Sequence, residues 1–187
     1  MKRAMLWAAA ALFGLLLGGG SAIWSAGQPF DGVRNGSWTA STQTGSRDAD
    51  AWTRARVAVQ ALLAMTSDQA IYFTSRRDSE GRALDADCRY AIRGGGYPAR
   101  WWSVTLYDDA YFLIEDAQKR YSVTAASLDP DASGRWSARI GRDPSADLAT
   151  PPTGGFNLIL RLYHPDPSVL QDPASIDMPL VEREGCA

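Results

Sequence analysis

Histidine is almost missing from this chain of 187 residues, which has His164 and no other. Cysteine is nearly as scarce, with Cys88 and Cys186 alone. A tetrahedral zinc centre needs several thiolate or imidazole ligands close together, so these counts exclude zinc. They also leave a Ser-His-Asp hydrolase a single base to use, and no G-x-S-x-G elbow offers a serine. Lysine is the third shortage, Lys2 and Lys119 against 17 arginines, in a chain whose formal charge is -2. A nucleic-acid partner calls for a surplus of positive charge, and there is none. The fourth absence is local: no charged residue occurs from Ala4 to Trp24.

That stretch, AMLWAAAALFGLLLGGGSAIW, fits a bilayer. A helix covers the hydrocarbon core with about 20 residues, whereas the apolar part of a cleaved signal holds about 7 to 15. Lys2 and Arg3 precede it and no basic residue follows until Arg34, which sets the N-terminus in the cytoplasm and the rest across the membrane. Residues 1–24 therefore read as a signal-anchor or transmembrane helix. Gly20 and Ala22 are small residues that also suit processing after Ala22, so a cleaved, soluble product is the alternative. Gly14 and Gly18 form a G-x-x-x-G pair that permits close helix contact. Setting aside Lys2 and Arg3 leaves the exported part near -4, from -2 minus two positive charges.

Residues 25–49, rich in Gly, Ser, Thr and Asp, read as a flexible tether from which Trp38 docks onto the domain. Asn35-Gly36-Ser37 fits a glycosylation acceptor, relevant only in a eukaryotic secretory pathway. Residues 50–187 are then one exported domain, long enough to bury a core. Trp52, Ala55, Val59, Leu62 and Leu63 recur at spacings of three and four, the pattern of an amphipathic helix capped near Asp48 or Asp50. Beyond it the period changes to two. Strands are expected near 70–76, 86–93, 100–107, 111–114, 120–124, 135–141, 156–163 and 178–183, an antiparallel β-sandwich or barrel. Alternation puts Cys88, Tyr90 and Ile92, then Trp102, Val104 and Leu106, then Trp136, Ala138 and Ile140, and finally Phe156, Leu158, Leu160 and Leu162 in the core.

Four patterns invite a chemical reading and each has a plainer one. His164, in LYHPDP, ends a strand before a Pro-rich turn and reads as a turn histidine. Asp129, Asp131, Ser133 and Gly134 imitate the first half of a calcium loop, but Ile140 occupies the position of its bidentate glutamate, so a hairpin loop is expected. Gly94, Gly95 and Gly96 precede a strand rather than a helix, which suits an inter-strand loop and not a phosphate cradle. The carboxylate pairs Asp78 with Glu80 and Asp108 with Asp109 fall in expected turns and read as solvated. No catalytic residue, metal ligand or cofactor site is assigned.

Two features remain. Cys88 and Cys186 are both exported, where an oxidising compartment lets them pair and tie the end of the chain to the sheet. Arg89, Arg93, Trp101, Tyr107, Arg161 and Tyr163 lie on strand faces opposite the core; together they would offer bidentate donors and stacking surfaces to an anionic or sugar-like ligand, or to a protein, and the plainer reading is packing and solvated surface alone.

The run AIYFTSRRDSEGRALDADCRYAIRGGGYPARWWSVTLYDDAYFLI, then KRYSV, GFNLILRLYHPDP and PLVEREGC, resembles a bacterial family known as domain of unknown function 1214, over most of 50–187. The resemblance implies a jelly-roll-like β-sandwich, often in a small membrane-anchored protein beside a companion carrying domain of unknown function 1254, with which it is fused in longer relatives. It supplies no reaction and no catalytic residues. The expectation is a single-pass protein of the bacterial inner membrane whose periplasmic sandwich binds or assembles with that companion. The alternative is an envelope enzyme or small-ligand binder acting on a carbohydrate or lipid-like molecule.

Overall fold

The computed structural model describes residues 2–26, 32–40, 45–46, 48–59 and 65–186. Helix α1, Lys2–Ala26, is the charge-poor segment, and its Arg3–Trp24 span is long and apolar enough to cross a membrane. The rest is mostly β. Strands β1 (Val33–Asn35), β2 (Trp38–Ala40), β3 (Ala70–Ser75), β4 (Cys88–Gly94), β5 (Ala99–Asp108), β6 (Ser122–Thr124), β7 (Trp136–Gly141), β8 (Leu148–Ala149), β9 (Phe156–Pro165) and β10 (Leu180–Cys186) follow in order. Helix α2, Ala51–Val59, precedes β3, and α3, Pro167–Gln171, follows β9.

The strands form two sheets, one in the order β1-β2-β3-β9-β5-β6 and one in the order β10-β4-β7-β8. All pairings are antiparallel except the short β7–β8 pair. The expected core is the observed one: Tyr90, Ile92, Val104, Leu106, Ala138, Ile140, Phe156, Leu158, Leu160 and Leu162 are buried between the sheets. Tyr90 meets Phe156 edge-on at 5.6 Å and Trp102 stacks on Trp136 at 4.6 Å, both contacts between the two sheets. Gly94 makes room for the second pair, since a Cβ there would lie 2.5 Å from the Trp136 ring. Cys88 and Cys186 face each other at the end of the β4–β10 ladder and are joined as a disulfide.

Three expectations change. First, 25–49 is not a tether throughout, because 33–40 form the β1–β2 hairpin at the edge of the larger sheet. Its two-residue loop, Gly36-Ser37, has Gly36 at φ 61°, the left-handed conformation that a tight hairpin requires and glycine adopts freely. Asn35 is engaged there, its Nδ2 donating to Ile176 O at 2.7 Å, and Trp38 is wholly buried, its Nε1 donating to Pro179 O at 2.8 Å. Second, α2 starts where capping predicts, with Asp50 Oδ1 accepting from Thr53 N at 2.7 Å, but its Trp52 and Ala55 are exposed instead of packed. Leu62 and Leu63 lie outside the described residues. Third, 111–114 is no strand: Leu113 makes an isolated bridge to Tyr107, and of the four residues only Ile114 is buried.

Candidate functional site

Strands β3, β9 and β5 lie side by side at the middle of the larger sheet, and their core-facing residues alternate with an outer row. Register puts Tyr72, Arg161 and Ser103 in one line across the strands, Thr74, Ile159 and Thr105 in the next, and Tyr163 beside Trp101. Arg161 is the centre of this outer face. Its guanidinium donates to Thr105 Oγ1 at 3.0 Å and to Tyr107 OH at 2.7 Å, and lies 5.4 Å from the Tyr107 ring centre and 5.7 Å from that of Tyr72. Thr105 is held in turn, its hydroxyl 3.1 Å from Ser122 Oγ. Among the described residues no carboxylate lies within ion-pair distance of Arg161. The half-buried cation is thus supported by hydroxyls and π faces, which orient it without neutralising it.

Asn157, opposite Tyr107 on the same row, is fully buried. Its Nδ2 donates to Asp108 O at 2.7 Å, while Oδ1 has no partner among the described residues. An unpaired buried acceptor costs about 1–3 kcal/mol. Trp101 and Tyr163 close the other end of the row with ring centres 5.1 Å apart.

Four of the six residues expected to line a binding face, Trp101, Tyr107, Arg161 and Tyr163, therefore come together. Arg89 and Arg93 do not, because β4 belongs to the other sheet and their side chains point out from its far side. Arg93 is ion-paired with Glu182 there, beside a groove of about 350 Å³ lined by Asp129, Asp131, Arg135 and Trp136. Strand alternation assigns each residue a face but not a sheet, so the two sets could not be told apart from sequence. Tyr72, Ser122 and Asn157 join this face beyond the expected residues; the Ile71-Tyr72-Phe73-Thr74 alternation is the sequence signal for Tyr72.

The other candidates settle into structural roles. The 129–134 loop is not the expected hairpin, because it joins β6 of the larger sheet to β7 of the smaller one; within it Asp131 Oδ1 accepts from Ser133 N, Ser133 Oγ and Arg135 N, with Gly134 at φ 77°. Gly95 O accepts from Trp136 Nε1 at 2.9 Å in an inter-strand loop. His164 is exposed at φ 47° where β9 ends. Asp108 Oδ1 caps a turn at Ala110 N and Phe112 N, and Asp109 accepts from Gly155 N. Asp78 departs from expectation: it is wholly buried rather than solvated. Its carboxylate accepts from Glu80 N, Arg82 N and Arg82 Nε, with Arg183 Nε at 3.3 Å. Burial pushes its pKa up, and the hydrogen bonds and charge of Arg82 outweigh that, so the net shift is downward.

Comparison with known proteins places this architecture. The family model described as Protein of unknown function (DUF1214) matches residues 69–167, which run from just before β3 to the first residue of α3. The chain belongs to the DUF1214 family. The matched DUF1214 region contains Arg161 and every residue named around it on the outer face. The crystal structure of the VPA0106 protein from Vibrio parahaemolyticus shares the fold, with a TM-score of 0.59 and 23% identity over 74% of this chain and 36% of that one. An uncharacterised protein from Burkholderia cenocepacia aligns at 14% identity and a TM-score of 0.42, over 64% of this chain and 30% of its own. The chain thus spans about a third of the length of the solved structures it matches. None of the curated proteins matches it.

Proposed function

We propose that this DUF1214 chain is a membrane-tethered binding module of the bacterial envelope. In this reading residues 1–24 anchor it in the inner membrane with the N-terminus cytoplasmic, and the sandwich works in the periplasm. Its partner is a companion envelope protein of the domain of unknown function 1254 type, engaged through the outer face of the larger sheet. The observation that carries the reading is Arg161, a half-buried cation on an outer sheet face with no carboxylate beside it among the described residues. A face of that kind is complemented from outside, by an acidic or π-rich surface. The match to only 36% of a longer solved chain agrees with a module that is part of a larger body elsewhere. The disulfide agrees with an oxidising compartment.

The test is a pull-down of the tagged full chain from native membranes. The companion, identified by mass spectrometry, is expected in near-equal amount, and Arg161→Ala should reduce its recovery at least about tenfold, a loss of about 1.4 kcal/mol. Equal recovery with both chains would reject the face. Intact mass of the same sample reports the anchor, since loss of residues 1–22 would mean a released protein. A second reading, a small sugar-like or anionic ligand, has its own observation in the unpaired Asn157 Oδ1. Ordered density for a small molecule between Asn157 and Arg161, in protein isolated without a companion, would favour it.

A further inference from the structure

The hairpin that replaces part of the expected tether changes the geometry of anchoring. Helix α1 ends at Ala26 and β1 begins at Val33, so seven Cα steps join them. At no more than about 3.6 Å each, they reach at most about 25 Å. A domain of this size has a radius of gyration of about 15 Å. If α1 spans a bilayer, such a short leash holds the sandwich at the lipid surface, where even weak contacts are made at high effective concentration.

Register says which end is held there. Val33 pairs with Ala40, so the chain enters and leaves the β1–β2 hairpin at one end of the larger sheet. The excursion containing α2 departs from Ala40 and returns at Ala70, at that same end, and Ser67 N donates to Gly45 O at 3.3 Å across its stem. Ala70 pairs with Tyr163, and Tyr163 with Trp101. The segment that carries α2 thus leaves and rejoins the sheet at this end, which also holds Trp101, Tyr163 and the exposed Arg100. The opposite end of β5 lies about 30 Å away, at about 3.3 Å per residue.

The exposed groups at the near end match an interfacial environment. Trp52 is 49% exposed and Trp101 37%, and no described side chain of α2 is buried. Tryptophan and tyrosine favour the headgroup layer, and an amphipathic helix lies in its plane with the apolar residues toward the acyl chains. We infer that α2 and the Trp101–Tyr163 end of the larger sheet seat on the phospholipid surface of the membrane that α1 crosses. The inference rests on the anchoring reading above and adds an orientation to it: the sheet stands on this end, leaving Phe112, 69% exposed at the far end, in water.

Both native cysteines are in the disulfide, so a nitroxide label can be directed to one introduced thiol in the full chain. Variants Trp52→Cys, Trp101→Cys, Phe112→Cys and Leu15→Cys are reconstituted in nanodiscs of phosphatidylethanolamine and phosphatidylglycerol. Collision with oxygen reports lipid, and collision with a water-soluble nickel chelate reports solvent. Labels at 52 and 101 should meet the chelate several-fold less than the label at 112, while that at 15 is shielded from it altogether. Labels at 52 and 101 as open to the chelate as that at 112, with 15 still shielded, would overturn the seat and leave the anchor standing. A solvent-exposed label at 15 would overturn both.

Discussion

Asp78 is the residue whose environment differs most from its sequence context. In RRDSEGR it reads as a turn carboxylate, and the turn is there, with Gly81 at φ 85° and Gly81 N donating to Asp78 O at 3.0 Å. What buries it comes from the other end of the chain: Arg183 on β10 closes over it and stacks on Tyr90 with its guanidinium 5.4 Å from the ring centre. No local pattern announces a partner that distant. Asp78→Asn keeps the shape but removes the charge that orders Arg82 and Arg183, and should cost about 1–3 kcal/mol in urea unfolding at neutral pH. Asp116 is a second lowered carboxyl, brought down to about 2 by hydrogen bonds from the Arg120 side chain and backbone. Both are depressed in the fold, so their contributions are fully present above the ordinary carboxyl pKa, about 3.9, and disappear as pH falls through the folded values. Stability should therefore drop between about pH 4 and pH 2, and Asp78→Asn should make that drop shallower. An unchanged acid limb would show that Asp78 titrates normally.

At the scale of elements, the β1–β2 hairpin tests how a short segment earns its place in a sheet. Each of its strands has three residues, too few to hold by backbone pairing alone. Trp38, at 1% exposure and bonded to Pro179 O, fastens it to the body. Trp38→Ala should cost about 3–5 kcal/mol and free 33–40 to rapid hydrogen exchange, while Trp38→Phe should keep most of the packing and lose only the indole bond, about 1 kcal/mol. Protection of 33–40 that survives Trp38→Ala would place the fastening elsewhere. The same hairpin marks the limit of reading elements from sequence. The strands of β4, β5, β7 and β9 were legible because several alternating apolar residues in each face one core. Three-residue strands carry one or two such residues, and the turn between them rests on the Gly36-Ser37 pair alone. Trp52 and Ala55 illustrate the converse, since helical spacing identifies an apolar face without saying what covers it. Likewise alternation put Arg89, Arg93 and Arg161 outside the core, but the sheet to which each belongs depends on pairings between distant strands.

For the whole molecule, the controlling fact is how the C-terminus is tied in. Strand β10 is an edge strand, yet it supplies the fully buried Val181 and the Arg183 that covers Asp78. Its backbone is clamped from outside the sheet, with Ser79 N donating to Val181 O at 2.9 Å and Val181 N to Ser79 Oγ at 2.8 Å. The Cys88–Cys186 bond fixes the end of this ladder and closes a loop with a sequence separation of 98. A loop of that size gives up to about 4.7 kcal/mol in the chain-entropy description, a large share of the roughly 5–15 kcal/mol typical of a domain. Reduction, or a Cys88→Ser, Cys186→Ser double variant, should therefore lower the urea midpoint without abolishing the fold, because the core between β9, β5, β4 and β7 is untouched. The loss should also be ordered. Amides of β10 and of the 78–82 turn should lose hydrogen-exchange protection first, since they support each other through Ser79, Asp78 and Arg183, while β9, paired on both sides, keeps its protection to the global transition. Simultaneous loss of protection in β10 and β9 would mean that the edge strand is bound to the core as tightly as the central strands, with the disulfide acting on the unfolded chain alone.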